Sequence, residues 1–184
     1  VQRRPGTTAN WVDSMGGPLI VVPVSALDSW RGCTEQGAII GDGSVVDDYD
    51  RACGIDDWAG VIAVGERQAL VLGDASYTSC YLPEHRAFIR WNAAGSESAL
   101  FEAAAAVLAD ESTPWVDCGV WECDGPAVLM DSAEAGADLG VPYPDGRGTP
   151  SEASVLVEAG RWRVWAVDVS GESADVGVVR LLPV

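Results

Sequence analysis

Gly17-Pro18-Leu19-Ile20-Val21-Val22 decides the fold, because it has a counterpart later in the chain, Gly125-Pro126-Ala127-Val128-Leu129-Met130. A short continuous apolar run bounded by Gly and Pro reads as a buried strand. Pro23, which brings no N–H to a ladder, ends the first run. Each run precedes a helix-start pattern: Ser25 with Asp28 before a short helix carrying Leu27 and Trp30, and Asp131 with Glu134. A loop rich in Gly and Asp follows in both places, spanning 32–57 in the first. Two apolar runs, 61–64 and 69–72, then read as a hairpin turning at 65–68, and 155–168 reads as its hairpin-like counterpart. A second hairpin pairs 79–82 with 87–91 around Pro83-Glu84-His85-Arg86. Strands at 88–91 and 178–181 close the two series. The order strand, short helix, loop, hairpin, strand thus occurs twice, in 11–92 and in 115–183.

Between the two halves lies the one clear helix, 96–110. Leu100, Phe101, Ala104, Val107 and Leu108 recur at helical spacing and mark its buried face. Glu97 and Glu102 sit near its N-terminus, where the helix dipole favours acids. Alternation in 115–120 and 162–169 supports half-buried strands. No succession of strands and long crossover helices occurs, so a parallel doubly wound sheet is not expected. The expected class is α+β, with antiparallel sheets from two similar halves and the longer helix between them. Residues 1–9 read as a flexible tail and 10–184 as a single domain.

The charge is one-sided. Twenty-eight acidic residues face eleven basic ones, a net charge of −17, and every basic residue is arginine. Such a field repels phosphate backbones and anionic lipid, so neither nucleic acid nor membrane is an expected partner; basic proteins are. The apolar run 18–24 is too short to span a bilayer, no secretion signal is legible in 1–10, and a cytoplasmic location is expected. Five irregularly spaced cysteines (33, 53, 80, 118 and 123) fit free thiols better than a disulfide framework.

Catalytic patterns are scarce. His85, the only histidine, falls in a turn, and there is no Gly-x-Ser-x-Gly elbow. Without lysine there is neither a Schiff base nor a P-loop. Cys118 and Cys123 lack zinc-knuckle spacing, and strand alternation places them on opposite faces unless a bulge intervenes. The stretch 41–50 resembles a calcium loop in composition only, which leaves a weak Ca²⁺ site as an open question. No catalytic residue, metal ligand or cofactor is assigned. What remains is a run of acids interleaved with aromatics: Asp47, Asp48, Tyr49, Asp50, Asp56, Asp57 and Trp58. Rigid aromatics anchor protein interfaces and carboxylates speed capture of a basic partner, so these seven are the candidate partner-binding residues.

An ordered set of segments carries a family resemblance: Trp11-Val-Asp-Ser-Met-Gly-Gly-Pro-Leu-Ile20, Asp48-Tyr-Asp-Arg-Ala-Cys53, Leu70-Val-Leu-Gly-Asp74, Tyr81-Leu-Pro-Glu-His85, Phe88-Ile-Arg-Trp91, Asp124-Gly-Pro126, Met130-Asp-Ser-Ala133, Ala159-Gly-Arg-Trp-Arg-Val164 and Leu181-Leu-Pro183. Together they resemble the immunity protein 21 family of bacterial polymorphic toxin systems. The resemblance implies a cytoplasmic α+β protein that neutralises a cognate toxin domain by direct, non-catalytic binding. Many nucleic-acid-directed toxins are basic, so an acidic inhibitor suits a basic, nuclease-like toxin. Two other readings stay open on the residues alone: a small acidic hydrolase using paired carboxylates, and an interaction module with no toxin partner.

Overall fold

The runs 19–22 and 127–130 both form strands, and they form them side by side. A computed structural model describes residues 9–73 and 75–184, so the expected tail falls, apart from Ala9, outside the described residues. The strands are β1 (Leu19–Pro23), β2 (Gly60–Val64), β3 (Arg67–Val71), β4 (Ser79–Leu82), β5 (Ala87–Ala94), β6 (Val116–Cys123), β7 (Ala127–Asp131), β8 (Glu152–Val155), β9 (Gly160–Ser170) and β10 (Ala174–Pro183). The α-helices are α1 (Asp48–Cys53) and α2 (Glu97–Ala109). They build two five-stranded antiparallel sheets, ordered β2-β3-β1-β7-β8 and β4-β5-β10-β9-β6. The class is α+β, mostly β with few helices.

Alternation along the strands sorts the apolar residues into three layers. Leu19, Val21, Leu70, Leu72 and Leu129 meet Phe88, Trp121, Trp162, Val164, Val179 and Leu181 between the sheets. On the far side of the first sheet, Ile20, Val22, Val71 and Met130 pack under Ala26, Trp30 and Ala52. On the far side of the second, Ile89, Val167, Val176 and Val178 pack under Leu100, Ala104 and Val107 of α2. Strand β1 is covered on both faces, which is why its sequence is continuously apolar.

The expected hairpins at β2–β3 and β4–β5 are present. The first turns at Gly65-Glu66, with Gly65 at a φ of 55° that glycine adopts without strain. The helix expected at 96–110 is α2; Ser96 caps it by accepting from the Ala99 amide at 3.2 Å.

Three expectations need correction. The stretch 155–168 is not a hairpin: β8 pairs with β7 in one sheet, and β9 pairs with β10 and β6 in the other. Val155 and Val157 face Trp162 and Val164 within the inter-sheet core, so the two runs line the same core from different sheets. Ser25 and Asp28 do not cap a helix. The expected short helix is present as a 3-10 helix, Val24–Ser29, but it has no side-chain cap, and the Ser25 hydroxyl donates to Asp124 at 2.7 Å. Asp131 closes β7 rather than starting a helix, accepting from the amides of Met15 and Ala133 at 2.6 and 2.8 Å. Finally, β6 does contain a bulge, between Asp117 and Val120, with Gly119 at a φ of 95°. It turns Cys118 and Cys123 to the same inter-sheet core. Among the described residues no cysteine is in a disulfide.

Trp121 ties the sheets together: its ring is fully buried and its Nε1 donates to the Gln68 carbonyl of β3 at 3.0 Å. Trp121→Ala is expected to lower the unfolding free energy by about 3–5 kcal/mol. Urea denaturation checks this, and a loss below about 1 kcal/mol contradicts the inter-sheet role.

Candidate functional site

The seven candidate residues lie at the N-cap of α1, on it and after it, a helix hidden in a stretch that reads as irregular. Its cap is built from acids. Asp47 accepts from the Asp50 amide and Asp50 from the Asp47 amide, both at 2.9 Å, a reciprocal capping box. The same two carboxylates also hold the preceding loop. Asp47 Oδ2 accepts from the Thr34 amide at 2.7 Å and the Thr34 hydroxyl at 3.1 Å. Asp50 accepts from the amides of Ala38 at 2.6 Å and Ile39 at 2.8 Å. Asp48 accepts from the Arg31 amide at 2.8 Å and pairs with Arg51 at 2.7 Å. Arg51 in turn reaches the Ala63 carbonyl of β2.

The structure therefore divides the candidates. Asp47 is buried, and Asp47 and Asp50 are acceptors for backbone amides. Tyr49, 8% exposed, plugs the core edge against Gly17, where a Cβ would collide with its ring. Burial, with a bond to Cys53, pushes the Tyr49 hydroxyl up to about 12. The Ala38 amide, with those of Asp47 and Ile39, holds the Asp50 carboxyl below the ordinary carboxylate range. Asp56, Asp57 and Trp58, between α1 and β2, are exposed; Trp58 is 42% exposed. Sequence reasoning missed the cap, although Asp47-x-x-Asp50 ahead of an apolar Ala52 was its signal.

The carboxylates of 41–50 thus face amides, and Asp42 likewise accepts from the Ser44 amide. Among the described residues, no group of three or more His, Cys, Asp or Glu is placed to hold a metal, and no helix is long and apolar enough to cross a membrane. Two carboxyls are pushed upward, Asp131 and Asp168, chiefly by burial. They do not form a pair: one lies on β7 and the other on β9, in different sheets. Asp131 is held by amides and Asp168 lies in the field of Arg90. His85 is exposed in its turn.

The family model for immunity protein 21 matches residues 10–175. The chain belongs to the immunity protein 21 family. It is an immunity protein, which neutralises a cognate toxin, and the family is normally non-enzymatic. Comparisons with curated proteins and with solved structures find no match.

The sign of the Asp50 shift gives a pH prediction. Its folded value is lowered, so its contribution is complete above the ordinary value of about 3.9 and is lost as pH falls through the folded value. The protection of the Ala38 and Ile39 amides, taken against each amide's intrinsic exchange rate at the same pH, is expected to hold at neutral pH and to fall below about pH 3.9, while β1 amides stay protected. Asp50→Ala should expose both amides at every pH; unchanged protection in that variant contradicts the role given to Asp50.

Proposed function

We propose that residues 10–184 act as one cytoplasmic immunity domain, assembled from two related halves, 11–92 and 115–183, that binds a basic, nuclease-like toxin domain directly. Adjacency supports the relation between halves: β1 lies against β7 and β5 against β10, each pair antiparallel and interior to its sheet. The net charge of −17 favours a basic protein partner over nucleic acid or an anionic membrane. The observation that carries the contact is Trp58, half-exposed beside the exposed carboxylates of Asp56 and Asp57. Among the described residues neither acid forms an ion pair. A large rigid ring next to unpaired acids supplies an anchor and a steering charge together. Within the acidic stretch, Asp48 is neutralised by Arg51, and Asp47, Tyr49 and Asp50 contribute by shaping what is presented.

That division decides the experiment. Neutralising Asp47 or Asp50 would dismantle the loop, so steering is read at Asp56 and Asp57. Electrostatic steering raises on-rates by about 10- to 1,000-fold and weakens as salt shortens the Debye length to about 8 Å. Against the cognate toxin domain, Asp56→Asn with Asp57→Asn is expected to slow association at low salt and flatten its salt dependence. Trp58→Ala is expected to speed dissociation by about 30-fold, the loss of one hot-spot side chain. Association indifferent to salt and to all three changes contradicts the acidic-edge reading.

A further inference from the structure

The loop at 34–46 is built inside out. Its interior is polar: the Thr34, Ala38 and Ile39 amides point at the Asp47 and Asp50 carboxylates. Backbone bonds close the rest, from Asp42 to the Glu35 carbonyl at 2.9 Å, Val45 to Gln36 at 3.0 Å, and Gly41 and Gly43 to Gly37 at 3.0 and 3.1 Å. Gly37 is required here, since a Cβ would collide with Asp47 Oδ2, and Gly41 is required against the Glu35 carbonyl. With amides satisfied inward, the aliphatic side chains are left outside. Ile39, Ile40, Val45 and Val46 are 56%, 60%, 46% and 69% exposed, four large apolar residues within eight positions. Scattered exposed aliphatics are ordinary, but four on one hydrogen-bonded loop are a local concentration. All four are β-branched, so they lose little rotamer freedom when covered.

We propose that this loop is the plug of the immunity protein: Ile39, Ile40, Val45 and Val46 enter an apolar recess on the cognate toxin, and basic groups rim that recess. The inference rests on the direct-binding reading above and names the surface that carries it. Charge complementarity specifies the occupant. Exposed Glu35 and Asp42 lie on the same loop with no lysine near them; Asp48, which follows it, is paired with Arg51, and Arg31 is exposed before it. An apolar tip ringed by acids excludes a membrane surface and a second copy of this acidic chain, and accepts an apolar recess with a cationic rim. Beside the tip, a cleft of about 540 Å³ lined by Arg31, Glu35, Gln36, Val45, Val46 and Asp48 receives a side chain from the toxin. The apolar contacts set the off-rate and the acids set the on-rate.

The test uses the full chain and the purified cognate toxin domain. Kd is measured for the wild type, Ile40→Asp and Val46→Asp, with thermal melts of each. Both side chains are exposed, so the melting temperatures are expected to match the wild type while Kd rises by about 30-fold or more, the loss of a hot-spot side chain. A photo-crosslinking residue at Ile39, which needs no destabilising charge, is expected to give a covalent adduct with the toxin. Wild-type affinity in both Asp variants, or no adduct from position 39, overturns the plug and leaves the direct-binding reading standing. Failure of the wild type itself to bind overturns the direct-binding reading and the plug with it.

Discussion

Strands β1 and β7 hydrogen-bond to each other from Leu19–Asp131 to Pro23–Ala127, and the rest of the molecule is arranged around that pair. Both strands are interior to the same sheet and both need cover on two faces. One face meets the second sheet. The other would expose Ile20, Val22 and Met130 to water, at about 1.5–3 kcal/mol for each side chain left uncovered. The segment between β1 and β2 supplies that cover. Trp30 packs there and donates to the Ser132 carbonyl at 3.1 Å, and the amides of Cys33 and Gly136 tie the same segment to the turn after β7. Ala52 of α1 packs on the same layer. The loop at 34–46 is thus the outermost part of a structure anchored on the central strands.

A chain with 28 acids and 11 bases cannot pair most of its carboxylates with cations. Those of Asp47 and Asp50 take backbone amides instead, which a loop without regular ladders must satisfy somehow. Asp131 does the same for Met15 and Ala133 at the end of β7. Acidity therefore has two separable uses here. Some acids hold the fold locally, and others, such as Asp56 and Asp57, remain on the surface as field.

Much of the architecture was legible because its cause is local. The apolar runs at β1 and β7 and the helical spacing of Leu100, Ala104 and Val107 each follow from a single element's burial. Sheet membership is not local. The stretches around Val155 and Val164 look like hairpin partners, yet they line one core from two sheets, and periodicity alone carries no information on which. Helix α1 was missed because six residues, Asp48–Cys53, show too little periodicity and its cap is written in acids that read equally well as surface charge. For the same reason the sequence reads Asp47, Tyr49 and Asp50 as contact residues, while the structure shows Asp47 and Asp50 holding the preceding loop and Tyr49 packed against Gly17. The exposed aliphatics of that loop give no sequence signal of exposure, since Ile39-Ile40 and Val45-Val46 resemble short buried runs.

The central claim, neutralisation by a preformed apolar loop with acidic flanks, is tested most directly by a hydrogen-exchange footprint of the full chain with and without its toxin domain. The account predicts additional protection at Ile39–Val46 and at Asp56–Trp58, with α2 and the β6 edge unchanged. Protection confined to α2 or β6, with 39–46 exchanging as in the free protein, would contradict it.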